Sequence, residues 1–375
     1  MSDNEVYIST SSSKLGQSGI TSSFPALTYS HEKKALGGYW AASFTVYGIK
    51  PGEIKLWAET GIGSHVQAEV AGGIIWEGVV DELVITLPNS TITIGSLSAM
   101  SNRVSVRFQD IEAPFNLPIG GTFDATGWVE DSASVAQFGE LEAYLSAGAV
   151  DPAVAATASR TYLGYNAWPI YERQVTQQPG TGFSLVANCI GYSRIMDRRY
   201  YDNPGITGTV NISNKIKDIL SNADFLDSDY SVEENTLQAY DEQLDQPTLL
   251  KAIQDLVSLG DSSFNRYTFG VYANQKAIYR AVPTSPTYLV GEDGKMSYPN
   301  TNTNIPLGLV EPGSRVEFSD IFSAPLDYHY SAPSKVDIYP IIETASFTYP
   351  NTLSITTGRT TRLDAIFAAY GLSGM

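Results

Sequence analysis

Between Gly37 and Phe108, apolar and polar residues alternate in short runs separated by glycine and proline. Val66, Ala68 and Val70 interleave with His65, Gln67 and Glu69, and Val104, Val106 and Phe108 with Arg103, Ser105 and Arg107. A period of two turns one side of each run to a core and the other to water, as in antiparallel strands. Strands are predicted over 39–47, 54–58, 65–70, 74–80, 83–87, 91–94 and 103–108, with hairpin-turn chemistry at Gly72-Gly73 and Pro88-Asn89. Closing such a sheet removes its edges, so a small antiparallel barrel is expected over 24–129, after a Ser-, Thr- and Gly-rich strap over 1–23.

The texture then changes. Val135, Phe138, Leu141 and Leu145 recur at helical spacing and 147–159 is Ala-rich, so 130–180 reads as a connector with a short helix. Alternation resumes over 183–192, with Phe183, Leu185, Ala187 and Cys189 on one face. Two helices follow. One spans 214–222, with Ser213 as N-cap and Ile216, Ile219 and Leu220 as its apolar stripe. The other spans 248–259, with Pro247 near its start, Leu249, Ile253, Leu256 and Val257 on one face, and Gly260 at its end.

A hairpin over 267–272 and 276–282 turns at Asn274-Gln275, and 291–305 is too polar to lie in a core. Further strands are predicted over 315–318, 335–338, 345–349 and 353–356. Thr361-x-x-Asp364 has capping-box form and opens a closing helix with Ile366, Phe367 and Tyr370 on its apolar face. The expected fold is mainly β with α insertions (α+β). Strand-rich regions at 24–129 and at 181–210 plus 264–358 flank the connector 130–180, with a helical insert over 211–263 and a C-terminal helix over 359–375.

Length and charge sharpen this picture. A chain of 375 residues holds two or three domains with sizeable cores. Only 17% of residues are charged, against 23 Tyr and 32 Gly. Such a surface suits burial against partners, because contact centres favour aromatic residues over charges; a Tyr-rich β protein without partners has the same composition. The net charge of −17 opposes stable nucleic-acid binding and adhesion to an anionic membrane. Cys189 stands alone, so neither an intrachain disulfide nor a multi-Cys metal site can form. The first residues, Met1 to Glu5, are acidic and lack the apolar run of a secretory signal, and no run approaches 18 apolar residues. Synthesis in a cytoplasm and solubility until assembly are expected.

Candidate chemistry is sparse. Gly61-x-Gly63 is followed by Val66 where a nucleotide-binding pattern needs a third glycine, and no Gly-Lys-Ser or Gly-Lys-Thr occurs. Asp224, Asp227, Asp229, Glu233 and Glu234 form an acidic cluster. A helix-loop-helix calcium site starting at Asp227 would need glycine at Val232 and glutamate at Gln238. An irregular calcium site and a solvated acidic loop both remain. His31, His65 and His329 have no metal-ligand spacing, and no Gly-x-Ser-x-Gly marks a nucleophile. No catalytic, cofactor or metal residue is assigned, and no cofactor or enzymatic activity is expected. Cys189 reads as a small core residue, with a reactive thiol as the alternative. Trp76, Trp128, Trp168, Tyr200-Tyr201 and Tyr328 to Tyr330 suit either sugar stacking or a core or subunit interface. Tyr200-Tyr201 directly follow Arg198-Arg199 and read as an interface ridge.

The order of motifs in the first unit carries a family resemblance. It runs Gly37-Gly38-Tyr39-Trp40, then Gly63-Ser64-His65-Val66, then Trp76-Glu77-Gly78-Val79-Val80, then Asn102-Arg103-Val104. A second block comprises Leu185 to Tyr192, Leu259-Gly260-Asp261 and Arg266 to Tyr272. Together they resemble the tail-tip and baseplate hub proteins of tailed bacteriophages. Residues 130–180 fall outside the resemblance. What it implies is two small antiparallel β-barrels, the second formed by 181–210 plus 264–358. Three chains would form a ring that joins the tail tube to the tip and lets tape-measure protein and DNA pass. Implied partners are the tail tube protein, distal tail protein, tape-measure protein and tail fibre proteins, in the virion tail. The chain has only one short helix after its last predicted strand, so the cell-wall-cleaving extension of some relatives is not expected. A receptor- or glycan-binding tail or capsid-surface protein is the alternative.

Overall fold

The computed structural model describes residues 5–12, 15–17, 19–110, 124–175, 182–202, 205, 208–240, 247–263, 265–291, 295–299, 301, 303–318 and 340–358. The strand expected at 335–338, the helix at 359–375, His329 and Tyr328 to Tyr330 lie outside these residues.

The chain opens with β1 (Val6–Ser11), β2 (Ser22–Pro25), β3 (Thr28–Lys34), β4 (Leu36–Tyr47), α1 (Pro51–Thr60), β5 (His65–Val70), β6 (Gly73–Leu87) and β7 (Ser90–Gly95). It continues with β8 (Arg103–Asp110), β9 (Asp124–Ala125), β10 (Val129–Glu130), α2 (Ser132–Phe138), β11 (Glu142–Val150), α3 (Pro152–Asn166) and β12 (Ile170–Val175). Next come β13 (Ser184–Ile190), α4 (Tyr192–Met196), β14 (Thr209–Asn211), α5 (Ile212–Ser221), β15 (Ser231–Val232), β16 (Gln238–Tyr240) and α6 (Leu249–Leu259). The last part holds β17 (Tyr267–Tyr272), β18 (Lys276–Ala281), β19 (Tyr288–Val290), β20 (Met296–Ser297), β21 (Val316–Phe318), β22 (Ile341–Thr348) and β23 (Thr352–Gly358).

The fold is mainly β with helices. Fourteen strands form one large sheet, in the order β15-β18-β17-β4-β13-β6-β5-β1-β2, with β3, β22 and β23 attached beside β4 and β7 and β12 beside β6. It curls strongly: four strands lie between β2 and β4 along the path, yet Phe24 and Phe44 have ring centroids 5.8 Å apart. Ile8, Phe44, Val66, Ala68, Leu83, Ile85, Leu185 and Ala187 fill the concave side, and Trp57 of α1 packs edge-on against Phe44. Pairing is antiparallel except where β4 meets β17 and β15 meets β18, both parallel. β13 lies between β4 and β6, so a strand from the second expected strand-rich region sits among strands of the first.

Several elements differ from expectation for identifiable reasons. Residues 54–58 are helical, because Ile54 and Trp57 are buried while Lys55 and Leu56 are exposed, a spacing of three and not two. Pro51 starts that helix, and the Lys50 backbone N–H donates to the Glu53 carboxylate at 3.0 Å. The strands expected at 74–80 and 83–87 are one strand, in which a register shift against β13 leaves Asp81 as the extra residue. The helix expected through Leu145 ends at Phe138, where Gly139 takes φ +77°, and Leu145 lies on β11. The Ala-rich stretch divides between β11 and α3 at Asp151, whose side chain caps α3.

The strand expected at 103–108 belongs to a separate four-stranded sheet, paired in parallel with β11 and antiparallel with β9 and β10. Val104, Val106 and Phe108 bury against Ala155, Leu163 and Ala167 of the α3 segment. The stretch 291–305 was expected outside any core, yet Met296 and Ile305 join Tyr288, Val310, Val316, Ile342 and Ala345 in a small second cluster. Met296 and Ile305 find this cluster despite polar neighbours, while Tyr298 stays exposed. By contrast, Cys189 faces inward with Leu185 and Ala187, and Asn274 and Gln275 turn the β17–β18 hairpin with φ of +62° and +58°.

Candidate assembly surface

The residues that carry the family resemblance lie at joints of the fold. Gly38 takes φ +71° where β4 crosses β17, and a Cβ there would fall 2.4 Å from the Val271 carbonyl oxygen. A Cβ on Gly78 would fall 2.2 Å from the Ile190 carbonyl oxygen, so only glycine lets β6 and β13 approach this closely. Asn102 is fully buried: its amide donates to the Gly139 carbonyl (2.8 Å) and its carbonyl accepts from the Leu141 N–H (2.8 Å), tying β8 to the turn before β11. Arg103 donates to Glu140 (3.0 Å) and Glu142 (2.7 Å).

This last contact opens a network between the four-stranded sheet and the segment that follows α4. Arg199 donates to the Glu140 carboxylate (2.6 Å) and backbone carbonyl (2.7 Å), Tyr200 donates its N–H to Glu142 (2.7 Å), and Arg198 donates to the Met100 carbonyl. Burial pushes the Glu142 carboxyl pKa up, opposed by the Tyr200 N–H and by Arg103 and Arg199. Over the network, Trp128, Tyr144 and Tyr200 contact one another, with Arg103 against Trp128 and Arg107 against Tyr144. Burial, and the nearby Asp202 carboxylate, raise the Tyr144 hydroxyl pKa to about 12. The expected ridge at Arg198 to Tyr201 is therefore an internal joint: Tyr201 is buried, with its hydroxyl on Asp218, and Tyr200 is half-buried in the aromatic cluster.

The other candidates separate in space. His31 is buried, with Nδ1 3.0 Å from the Tyr29 hydroxyl, and burial holds its pKa well below the usual histidine value. His65 meets the Tyr192 hydroxyl at 2.7 Å, with Glu77 at 3.8 Å. Burial pushes the Cys189 thiol up, which leaves it protonated and unreactive. The acidic cluster is taken up by local contacts: Asp224 with Arg199, Asp229 with Lys276, and Glu233 accepting from the Ala281 N–H. Among the described residues, no three His, Cys, Asp or Glu side chains are grouped to hold a metal ion. Trp76 is fully buried beside Tyr39, in the core and out of reach of any sugar.

What remains outward is a surface of which the sequence reading singled out only Trp168. α3 begins at Asp151, whose side chain accepts the Ala153 N–H, with Pro152 in its first turn. Its inner face is Ala155, Ser159 and Leu163; its outer face carries Val154, Ala158, Thr161 and Tyr165, and Arg160 is its one charged residue. Between this outer face and Leu145 of β11 lies an open groove of about 740 Å³, lined by uncharged residues including Val154, Ala158, Tyr162 and Tyr165.

Trp168 follows, its indole N–H on Asp131 (3.0 Å) and its ring against Phe138. β12 then pairs with β7 along one edge and is exposed at every residue. Val154, Tyr165, Trp168, Ile170, Tyr171 and Val175 are between 44% and 78% exposed. An apolar patch of this kind, running into an open strand edge, marks a surface meant to be covered. One signal was present in the sequence: between Glu142 and Glu172 only Asp151 and Arg160 are charged.

No protein-family model matches the chain, and no curated protein matches it. Among solved structures the chain is similar to the 43 kDa tail protein of prophage MuSo2 from Shewanella oneidensis. That alignment has 9% identity and a TM-score of 0.43, and covers 97% of this chain and 98% of that one. The chain is also similar to the tail protein from Neisseria meningitidis MC58, at 8% identity and a TM-score of 0.41, with 94% of this chain and 95% of that one covered. At these scores neither alignment decides the fold.

Proposed function

We propose that this chain is a structural, non-enzymatic protein of a phage tail and forms the hub ring at the tail tip or baseplate. The exposed α3–β12 surface carries the assembly part of this reading, because a chain that worked alone would leave it bare. The motif order described above supplies the tail-hub part. In this reading three copies form the ring and each chain carries two barrels; the bounds expected for them, 24–129 and 181–210 plus 264–358, shift, because β13 pairs inside the first region and β8 leaves it for a separate sheet. Long β4 supports such a pair: one edge meets β17 at 36–38 and β13 at 41–47, so two curled halves can share it. The ring adapts the tail tube to the tip, contacts distal tail and tail fibre proteins, and passes tape-measure protein and DNA. A net charge of −17 keeps DNA from adhering on the way.

Two measurements test this. Light scattering on the purified chain is expected to give a species of three 40.6 kDa subunits, and electron microscopy of purified particles should place the chain at the distal end of the tail. A monomer at every concentration, absent from tails, overturns the proposal. Saturable binding to a glycan array by such a monomer would favour the receptor-binding alternative.

A further inference from the structure

Two long strands end the large sheet with one edge unpaired among the described residues: β12, bonded to β7, and β23, bonded to β22. β12 is poorly suited to pairing with itself. A twofold antiparallel contact must set some residue opposite its own copy, and the two longest such registers centre on Glu172 or on Arg173. Each places like charges face to face. β23 (Thr352, Leu353, Ser354, Ile355, Thr356, Thr357, Gly358) has no charge to oppose either residue and is rich in β-branched side chains. A β12–β23 contact between copies is head-to-tail, the kind that closes rings.

The direction of that contact brings a second feature into register. Laid antiparallel on β12, a neighbour's β23 ends beside Ile170, next to Trp168 and the Tyr165 end of the α3 groove. The chain continues from there for residues 359–375, in which Leu363, Ile366, Phe367 and Tyr370 fall at helical spacing. The outward stripe from Val154 to Tyr165 is about 16 Å long, and the helix that the sequence predicts from Thr361 to Gly371 would be about 15 Å, at about 1.5 Å per residue. The groove is lined by uncharged residues and so offers no charge to the apolar stripe.

We propose that the β12 edge and the α3 groove receive residues 352–375 of a second copy, the strand on the edge and the apolar C-terminal stripe in the groove. This deepens the assembly reading above and rests on it.

The test uses full-length chains carrying Ala158→Cys or Phe367→Cys. Native Cys189 is buried and stays out of the exchange. Mixed and oxidised, the two variants are expected to give a covalent pair of twice 40.6 kDa that neither gives alone. Ending the chain at Gly358 should weaken self-association at least tenfold while moving the melting temperature of the dissociated chain by less than about 2 °C. The proposal is overturned if a disulfide forms only within a chain bearing both cysteines, or if the truncated chain associates as tightly as the whole one. Cross-linking in a chain absent from tails would keep the contact and remove the tail-hub reading.

Discussion

Gly78 and Tyr165 stand at opposite extremes of packing. At Gly78 two strands approach so closely that a single methyl group would overlap the Ile190 carbonyl oxygen, whereas Tyr165 is 78% exposed on a helix with almost no charge. The first site is closed within the chain, and nothing can be added to it. The second is apolar surface the chain does not cover itself. The family motifs cluster at sites of the first kind. The assembly part of the proposed function depends on sites of the second, where only Trp168 had been singled out.

Substitutions can break this contrast or sharpen it. Gly78→Ala forces backbone against backbone and should cost more than about 3 kcal/mol, read as loss of the folded baseline in urea titration. Leu163→Ala, on the buried face of α3 against Val106 and Phe108, should cost about 2–3 kcal/mol through the cavity it leaves. Arg199→Met removes the guanidinium between Glu140 and the Asp224–Phe225 segment and should cost about 2 kcal/mol, visible as a shift in the urea midpoint.

A pH series probes the sealed side. Lys33 is buried, donating to the Gly308 carbonyl (2.8 Å), and burial lowers its pKa to about 8. Between about pH 8 and 10.5 the unfolded chain therefore holds a proton that the folded chain has released, and stability rises with pH. Burial raises the pKa of Tyr29, Tyr39, Tyr192 and Tyr272, so above about pH 10 the unfolded chain loses protons first and stability falls. Lys33 alone contributes a gain of about 1–2 kcal/mol from pH 8 to 9.5, which the raised Cys189 thiol and the tyrosines oppose, so it is read as the difference between the parent and Lys33→Met over that range. The smallest effect belongs to the open side: Tyr165→Ser should stay within about 0.5 kcal/mol of the parent in denaturant titration. A large loss there would mean that α3 is already covered within its own chain.

Much of the strand content was legible because alternation survives wherever one face is buried, as at Val66, Ala68 and Val70 or Leu185, Ala187 and Cys189. Which strands lie side by side was not. Nothing in 184–190 announces that it pairs between 36–47 and 73–87, and nothing in 103–110 announces that its partner is 142–150. Pairing over such separations depends on whole-sheet geometry, which local pattern does not encode. α1 was misread because its buried pair, Ile54 and Trp57, is too short a sample to tell a spacing of three from two. The assembly surface was missed because an Ala-rich helix with an exposed apolar side reads as an ordinary connector until its buried side is known. Only Trp168 and the scarcity of charge around it were visible in advance.

The insertion of β13 between β4 and β6 has a consequence for how the protein is made. When the ribosome has completed Leu87, both strands still lack their central neighbour, and roughly a hundred more residues must emerge before Ile190 arrives. At about 5–20 residues per second this delay is on the order of 5–20 s. For that interval two bare edges, the Tyr-, Trp- and Phe-bearing β4 and the Val- and Ile-rich β6, are exposed together, so the nascent chain is a natural client for chaperones and a hazard on crowded polysomes.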